Sequence, residues 1–520
     1  MHRSPTAEAE LAAELEAVRP VLGARYAAAL PGARAAVLTR LWRALVHEPL
    51  PWTERREESG ASRGPGSESS VRLRDGRRLH GPRADPYATA AHVTDVRLDG
   101  VAYDDPARLM TELAVPHGAA FAAELGHSVA SLALSRAGQG PDEALLKAPQ
   151  GLQGSQEWPV ADWEWEQRVV DGHPYHPNCR TRPGFSVAEQ LAYGPEHRPS
   201  VRLGLLPVPA GECLVSGEWP ECLRDGGRLL IPVHPWQAAH VLKRSCEEGV
   251  VAHPLMSLRT LALPGGPHVK TALSTRLTSS VRDISVGSIA ASATLSAFAE
   301  SLTPRADGLL HMTRTLGAAT ADSPDLAAVL RESPRAYGAP GEHVVPVAAL
   351  AGTELPSSTA WLARFARLAL TVGLRLLELG VALEAHGQNL LVVLSASGAP
   401  LRLVYRDLAD IRVSPARLAR HGVPLPDGLP ARILTDDVTA LRRKLFGSLV
   451  AGALAATAGS RPALRTALET AVRDLPRTPD LVALCENPLP TKALTLMRLS
   501  PGTPGDQWAL LPNPLRADAD

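Results

Sequence analysis

A carboxylate, an imidazole and an amide crowd into Glu384-Ala385-His386-Gly387-Gln388-Asn389. A second carboxylate, Asp407, ends the run Leu401-Arg402-Leu403-Val404-Tyr405-Arg406-Asp407. Between them lie Leu390-Leu391-Val392-Val393-Leu394 and a polar turn from Ser395 to Pro400. Two β-rich runs about a Gly/Ser/Pro turn predict a hairpin. Antiparallel pairing brings Asn389 and Asp407 to one open end, with the strands roughly 5 Å apart. Glu384 and His386 lie just upstream, at the same end. Hard oxygen ligands gathered there suit Mg²⁺ carrying nucleotide phosphates. The plainer alternative is a hairpin with a polar mouth.

A second group is cationic. Ser257-Leu258-Arg259-Thr260-Leu261-Ala262-Leu263 precedes the turn Pro264-Gly265-Gly266-Pro267, and His268-Val269-Lys270-Thr271 returns. Read as strands over 256–263 and 268–275, Ser257 and Arg259 share a face by the two-residue period, and Lys270 reaches the same patch. Arg282 follows. A hydroxyl, two guanidiniums and an ammonium on one face make a cradle for a triphosphate. A cationic solvent face is the alternative, but no acidic residue stands between 256 and 276 to neutralise it. No Walker A loop and no GxGxxG after a strand is present.

The third group is Gly172-His173-Pro174-Tyr175-His176-Pro177-Asn178-Cys179-Arg180-Thr181-Arg182-Pro183. Proline fixes its own φ and restricts its predecessor, so both imidazoles sit on stiff backbone. His173 and His176 beside Arg180 and Arg182 suit a carboxylate-bearing substrate. The competing readings are a Pro-rich loop with solvated arginines and a His-x-x-His metal pair, the latter weakened by the want of a nearby third ligand. In Ile231-Pro232-Val233-His234-Pro235-Trp236-Gln237, a buried, hydrogen-bonded His234 is the preferred reading over a catalytic one.

These groups need elements to hold them. The 520 residues exceed one core, so the chain divides into several domains. Residues 6–47 predict helix, split at Pro31-Gly32, and 53–70 a polar loop. Strands are expected near 71–79, turning at Asp75-Gly76, and near 92–98. Residues 105–136 predict helix, and 138–154 a connector. Short β-rich runs at 201–208 and 229–233 join those of the cradle. Residues 359–380 carry Trp361, Leu362, Phe365, Leu368, Ala369, Val372, Leu376 and Leu379 at helical spacing, with Thr359 to cap and Gly380 to stop. Residues 436–457 and 462–475 predict helix, and the tail is punctuated by proline. The fold class expected is α+β: a helical part over 1–152, a β-containing domain over 153–335 and a mixed, helix-rich domain over 336–520.

Acidic and basic residues balance at 54 each, which gives no net field for nucleic acid or membrane. No apolar run approaches the ~20 residues of a membrane span. The N-terminus lacks the pattern of a secretory signal. The five cysteines, Cys179, Cys213, Cys222, Cys246 and Cys485, form no CxxC pair, so a reduced cytoplasmic setting is expected.

The His173–Phe185 loop, Ile231–Gln237, Ser257–Leu261, Lys270 with Arg282, Glu384–Asn389 and Arg406-Asp407 occur in one order. That order resembles the NRPS-independent siderophore synthetases, the IucA/IucC (aerobactin synthetase-like) family. The tail, Thr491–Leu499 with Asn513-Pro514-Leu515, is similar to theirs, and the resemblance spans residues 155 to 515. It implies a thumb, fingers and palm fold, commonly a homodimer. It implies an ATP- and Mg²⁺-dependent ligase that converts a carboxylic acid, most often citrate or a related polycarboxylate, to an acyl-adenylate. An amine or alcohol then displaces AMP. By position, Ser257, Arg259, Thr260, Lys270 and Arg282 would hold phosphates, and Glu384, Asn389 and Asp407 the nucleotide and its Mg²⁺. His386 would serve the adenylate, and His173 the carboxylate or the charge developing at its carbon. Substrate contacts would extend to His176, Arg180, Arg182 and Lys492.

The chain departs from the family's pattern in three places. Arg180 stands where Lys is usual, Asp283 follows Arg282 where Thr is common, and 286–320 lacks the family's Asn-Gly-Pro and Glu features. A weakened nucleotide-binding homologue is therefore one alternative. A kinase-like phosphotransferase is another, because His386–Val392 with Arg406-Asp407 is similar to the Asn and metal-binding Asp of small-molecule kinases. Such kinases need a base Asp shortly before the Asn, where this chain has Gln388 and Glu384.

Overall fold

The computed structural model describes residues 6–58, 68–89, 91–140, 158–278 and 280–516. Helices Ala7–Val18 and Gly23–His47 pack with Gly118–Ala137 around Leu15, Leu38, Leu41, Trp42, Leu45 and Phe121. The break between the first two lies at Arg19-Pro20, not at Pro31-Gly32, and Pro31 sits inside the second helix. Arg19 takes a non-helical backbone ahead of Pro20, as the steric clash with proline favours. Burial of Ala33, Ala36 and Val37 keeps the chain helical past Pro31.

The first part also holds a five-stranded antiparallel sheet, from Thr53–Glu58 through Glu68–Leu73, Arg78–Pro82 and Val96–Leu98 to Val101–Tyr103. The polar loop expected over 53–70 is thus strand at both ends, and 59–67 lie outside the described residues. Ser69, Val71, Leu73 and Leu79 bury one face, while Glu68 and Arg72 alternate to solvent. The Asp75-Gly76 hairpin forms, pairing Arg72 with Arg78. The strand expected at 92–98 is confined to Val96–Leu98. The helix over 105–136 is two, parted where Ala114 turns left-handed. Residues 141–154 of the expected connector lie outside the described residues.

A nine-stranded antiparallel sheet fills the middle. Its centre runs Thr315–Thr320, Ala327–Arg331, His268–Thr271, Thr260–Ala262, Glu247–Pro254, Val201–Pro209 and Arg228–Val233. Leu261, Val269, Ala328 and Leu330 alternate into the core with Val201, Leu203 and Ile231. The opposite face then carries Thr260, His268, Lys270 and Arg331, because Thr260 pairs with Lys270 and His268 with Arg331. The strand expected over 256–263 starts only at Thr260. Ser257 to Arg259 form a tight turn in which Leu258 has φ 69° and Leu258 N–H bonds to Leu255 C=O.

The third part is built on the helix Thr359–Leu379. Ser358, one residue earlier than expected, caps it by accepting from Trp361 N–H. Gly380 ends it with φ 109°, and a side chain there would strike Ser414 and Arg417. Its apolar face lies under the predicted hairpin, Leu390–Leu394 against Pro400–Tyr405. Leu310–Met312 adds a parallel strand beside Pro400–Tyr405, so chain from the middle of the sequence completes this sheet. The helix expected over 436–457 forms as Val438–Leu445, a wide-turned stretch Phe446–Leu454, and Ala455–Ala458. In the tail, Leu489–Lys492 pairs with Trp508–Leu511, and Ala493, Leu496, Leu499 and Ala509 pack into the N-terminal core.

Candidate active site

The face of the large sheet bearing Lys270 looks across a cleft at the mouth of the Leu390–Tyr405 hairpin. Leu390 pairs with Tyr405, and Arg406 N–H bonds to Asn389 C=O at 3.0 Å. The expected convergence of Asn389 and Asp407 is therefore present. The buried Tyr405 hydroxyl ties the mouth together, accepting from Glu384 N–H and donating to Asp407 C=O, both at 3.2 Å. Gly387 lets the His386–Asn389 turn lie against the Ala348 backbone, where a Cβ would come within 3.0 Å.

Asp407 is the charge centre. Its backbone is left-handed, φ 71°, and its carboxylate meets Lys270 Nζ at 2.8 Å and an Arg331 guanidinium N at 3.1 Å. Burial would raise its pKa, but Arg331 and Lys270 hold it well below the usual carboxylate range. Burial pulls the Lys270 ammonium down to about 7, with Asp407 opposing the shift and Arg331 and Arg259 adding to it. Burial, then Arg282, lowers Arg259 to about 10. Arg259 donates to the backbone carbonyls of Arg282 and Asp283, and Ser257 Oγ accepts from Thr260 N–H at 3.2 Å. Ser257, Arg259, Thr260, Lys270 and Arg282 thus line one cleft with Glu384, His386, Asn389 and Asp407.

Glu384 looks toward two lysines. Its Oε1 lies 3.0 Å from Lys444 Nζ and 2.9 Å from Lys492 Nζ, and both lysines also face Asp506. Burial opposes ionisation, yet Lys492 and Lys444 bring this carboxyl down to about 2. Ser448 accepts from Ala385 N–H at 2.9 Å, so the wide-turned helix also positions this turn.

His173 and His386 share one local device. Each ring Nδ1 accepts from the backbone N–H two residues on: Tyr175 at 3.2 Å and Gln388 at 3.3 Å. The proton of the neutral ring is then on Nε2, aimed outward as a donor. His173 is exposed at the edge of the cleft; partial loss of water from its ring, then His386, lowers its pKa. Burial also lowers His386. His176 is buried, and neither ring nitrogen has a partner within the protein. His173, His176 and Lys492 stand beside the cleft rather than among its lining residues. His234 is fully buried and accepts from Trp236 N–H at 3.1 Å, the structural role preferred from sequence.

Arg180 and Arg182 border the cleft, but both guanidiniums turn back to buried Glu196, at 3.2 and 2.8 Å. Arg180 also donates to the carbonyls of Val169 and Val170. As they stand, these arginines brace the His173 loop through Glu196, while the buried Arg180 Nε has no hydrogen-bond partner within the protein.

Residues that sequence reasoning missed complete the site. Arg331 reaches Asp407 from a strand whose register alone places it beside Lys270. Glu166 is buried between the two halves: one oxygen meets Arg406 at 2.6 Å and the other accepts from Met256 N–H at 3.0 Å. Arg406 donates further to Gln388 C=O. Glu166 therefore joins the Ser257 turn to the hairpin mouth. Lys444 and Glu196 had no signal in the sequence beyond their charge.

Among the described residues, no group of three or more His, Cys, Asp or Glu forms a ready metal cage. Asp407 and the Asn389 amide oxygen are hard oxygens of the kind that would hold Mg²⁺ with phosphates and water, whereas the Glu384 carboxylate is engaged by Lys444 and Lys492.

Comparison with known proteins agrees with this architecture. Residues 162–352 match the model of the IucA / IucC family, and residues 359–505 that of the ferric iron reductase FhuF-like transporters. A citryl-spermidine/3,4-dihydroxybenzoyl-citryl-spermidine:spermidine ligase of Bacillus anthracis is 25% identical over 315 residues, 48% of this chain and 51% of its own. The chain spans about half the length of the curated relatives it matches. Among solved structures, the petrobactin biosynthesis protein AsbB from Bacillus anthracis str. Sterne superposes with TM-score 0.74 at 18% identity, over 95% of this chain and 98% of that one. ATP-bound aerobactin synthetase IucA from a hypervirulent Klebsiella pneumoniae pathotype gives 0.71 at 20% identity, over 93% and 99%. Residues 162–352 thus match the IucA / IucC family model, and the fold of the whole chain is the one shared by AsbB and aerobactin synthetase IucA.

Proposed function

We propose that the chain is an ATP-dependent siderophore synthetase. It activates a carboxylic acid, citrate or a related polycarboxylate, as the acyl-adenylate and joins it to an amine or alcohol, releasing pyrophosphate and then AMP. The observation that carries this reading is the meeting of Ser257, Arg259, Lys270, Arg282 and Arg331 with Asn389 and Asp407 across one cleft.

Two anions, a triphosphate and a carboxylate, must approach each other before the acid can attack the α-phosphorus. Arg259 and Arg282 supply permanent charge, and Lys270 supplies an ammonium that exchanges Asp407 for a phosphate oxygen. Mg²⁺, when bound, would neutralise phosphate charge beside Asp407 and Asn389. The Nε2–H groups of His386 and His173 are neutral donors. They stabilise oxygen charge that develops at the acyl centre without adding a proton to be lost. The Glu384–Lys444–Lys492 cluster fixes the Glu384–Asn389 turn that carries His386.

The test is ATP–pyrophosphate exchange across a panel of di- and tricarboxylic acids, with the nucleotide product identified. Acid-dependent exchange and AMP are expected. ADP with a phosphorylated product would replace this reading by the phosphotransferase. Nucleotide binding without exchange for any acid would leave a nucleotide-binding homologue.

A further inference from the structure

One buried titratable pair at the cleft takes no part in the phosphate cradle. His268 lines the cleft but is only 2% exposed, and its Nε2 lies 2.6 Å from an Asp162 carboxylate oxygen. Ser333 donates to the same oxygen at 2.6 Å, and Trp163 N–H to the other at 2.9 Å. Burial opposes ionisation of Asp162, yet the bonds from His268 and Ser333 hold its carboxyl down to about 2. Asp162 therefore only accepts, and His268 Nε2 carries the proton. Nδ1 has no hydrogen-bond partner among the described residues. In the neutral ring it is an acceptor.

The ring is held firmly. His253, Ala262, His268 and Arg331 stand abreast on four adjacent strands. The helix Asp162–Gln167 is pinned over this row at two points. Trp163 stacks on His253 with ring centroids 4.4 Å apart, and Asp162 takes His268. Glu166 of the same helix reaches Arg406 at the hairpin mouth.

The register also says what His268 can meet. Lys270 follows two residues on, on the same face, roughly 6.6 Å along the strand. Arg331 lies directly opposite His268. Both cations reach Asp407. His268 thus adjoins the phosphate cradle. A phosphate oxygen only accepts, so it is no partner for an accepting ring nitrogen; a hydroxyl or an amine is. In a nucleoside triphosphate the donors nearest the phosphates are the 2′ and 3′ hydroxyls of the ribose. The exocyclic amine is at the opposite end of the nucleoside.

We propose that His268 is a specificity-determining residue for the nucleotide, with Nδ1 accepting from a ribose hydroxyl and Asp162 as the positioning residue that fixes the tautomer. The inference rests on the nucleotide part of the synthetase reading.

The test measures Kd by calorimetry for ATP, 2′-deoxy-ATP and 3′-deoxy-ATP, each with Mg²⁺, on the full chain. Wild type, His268→Phe and His268→Gln are compared. The wild type should bind ATP about three- to tenfold more tightly than at least one deoxy analogue, the effect of one neutral hydrogen bond. His268→Phe keeps a ring but has no acceptor. It should bind ATP only as well as it binds that analogue. His268→Gln, with a donor for Asp162 and an acceptor for the sugar, should keep part of the preference. Equal affinity for ATP and both analogues in the wild type would overturn the proposal, whether or not the variants fold. So would a preference that persists in His268→Phe, which would confine the histidine to structure or to the phosphates. Absence of ATP binding to the wild type sinks the synthetase reading, whereas ATP binding and acid-dependent exchange without a ribose preference sink only the role of His268.

Discussion

Lys270 and Asp407 are each other's partner in the free protein, and under the proposed function a phosphate oxygen would take Asp407's place at Lys270. Lys270→Ala and Asp407→Asn should each reduce ATP–pyrophosphate exchange by 10² or more while the circular dichroism spectrum stays native. The ammonium must be charged to take a phosphate, and its pKa in the free protein is about 7. Because kcat/KM reports the free enzyme, its value for ATP should fall as pH rises through about 7. Lys270→Arg, permanently charged, should flatten that limb; an unchanged profile would remove Lys270 from phosphate binding. Glu384 works in the opposite sense. Its carboxyl is near 2 against an ordinary 4.5. It therefore adds about 3 kcal/mol of stability above pH 4.5, lost as pH falls toward 2. Melting temperatures of Glu384→Gln should show a shallower acid limb than the parent. Glu166 is the residue whose removal should be felt on both sides of the cleft. Glu166→Ala strands Arg406 in the interior, at a cost of about 3–5 kcal/mol, and frees the Ser257 turn. Thermal melting and exchange should fall together.

At the scale of elements, the hairpin was readable because its strands are continuous aliphatic runs around a turn of small and polar residues, and the helix Thr359–Leu379 because its apolar stripe holds for the whole length. The Ser257 turn was not readable. Leu258 carries the positive φ without a glycine to announce it, so a turn looked like the start of a strand. The cradle residues still meet, because Lys270 and Thr260 are paired across strands whose apolar alternates were legible. Arg331 needed a register between segments sixty residues apart, which no local pattern carries. The partner of Arg180 and Arg182, Glu196, was not readable for the same reason: it is identified by packing alone. The turn that carries His386 rests on one close approach. Gly387→Ala would push a methyl against the Ala348 backbone. A loss of about 1–3 kcal/mol is expected by chemical denaturation, with a severalfold rise in KM for ATP as His386 and Asn389 shift.

Over the whole molecule, the tail binds the ends of the chain together. Glu48, on the segment after the second helix, accepts from Thr495 and Leu496 N–H at 3.1 and 2.7 Å, and Arg498 pairs with Glu124. Lys492, which faces Glu384, leads directly into this anchorage. Glu48→Ala should lower stability by about 1–2 kcal/mol and raise the KM of the acid or ATP through Lys492; a melting shift with unaltered kinetics would confine Glu48 to structure. The strand Leu310–Met312 has a different consequence, for anyone who would divide the protein. A fragment begun at residue 336 lacks that strand and bares the backbone edge of Pro400–Tyr405, a template for pairing with other chains. Such a fragment should aggregate on expression. One begun near residue 291 keeps the strand and the helix Ser292–Leu302, whose Leu295, Phe298 and Ala299 pack into the same core, and should remain the more soluble of the two.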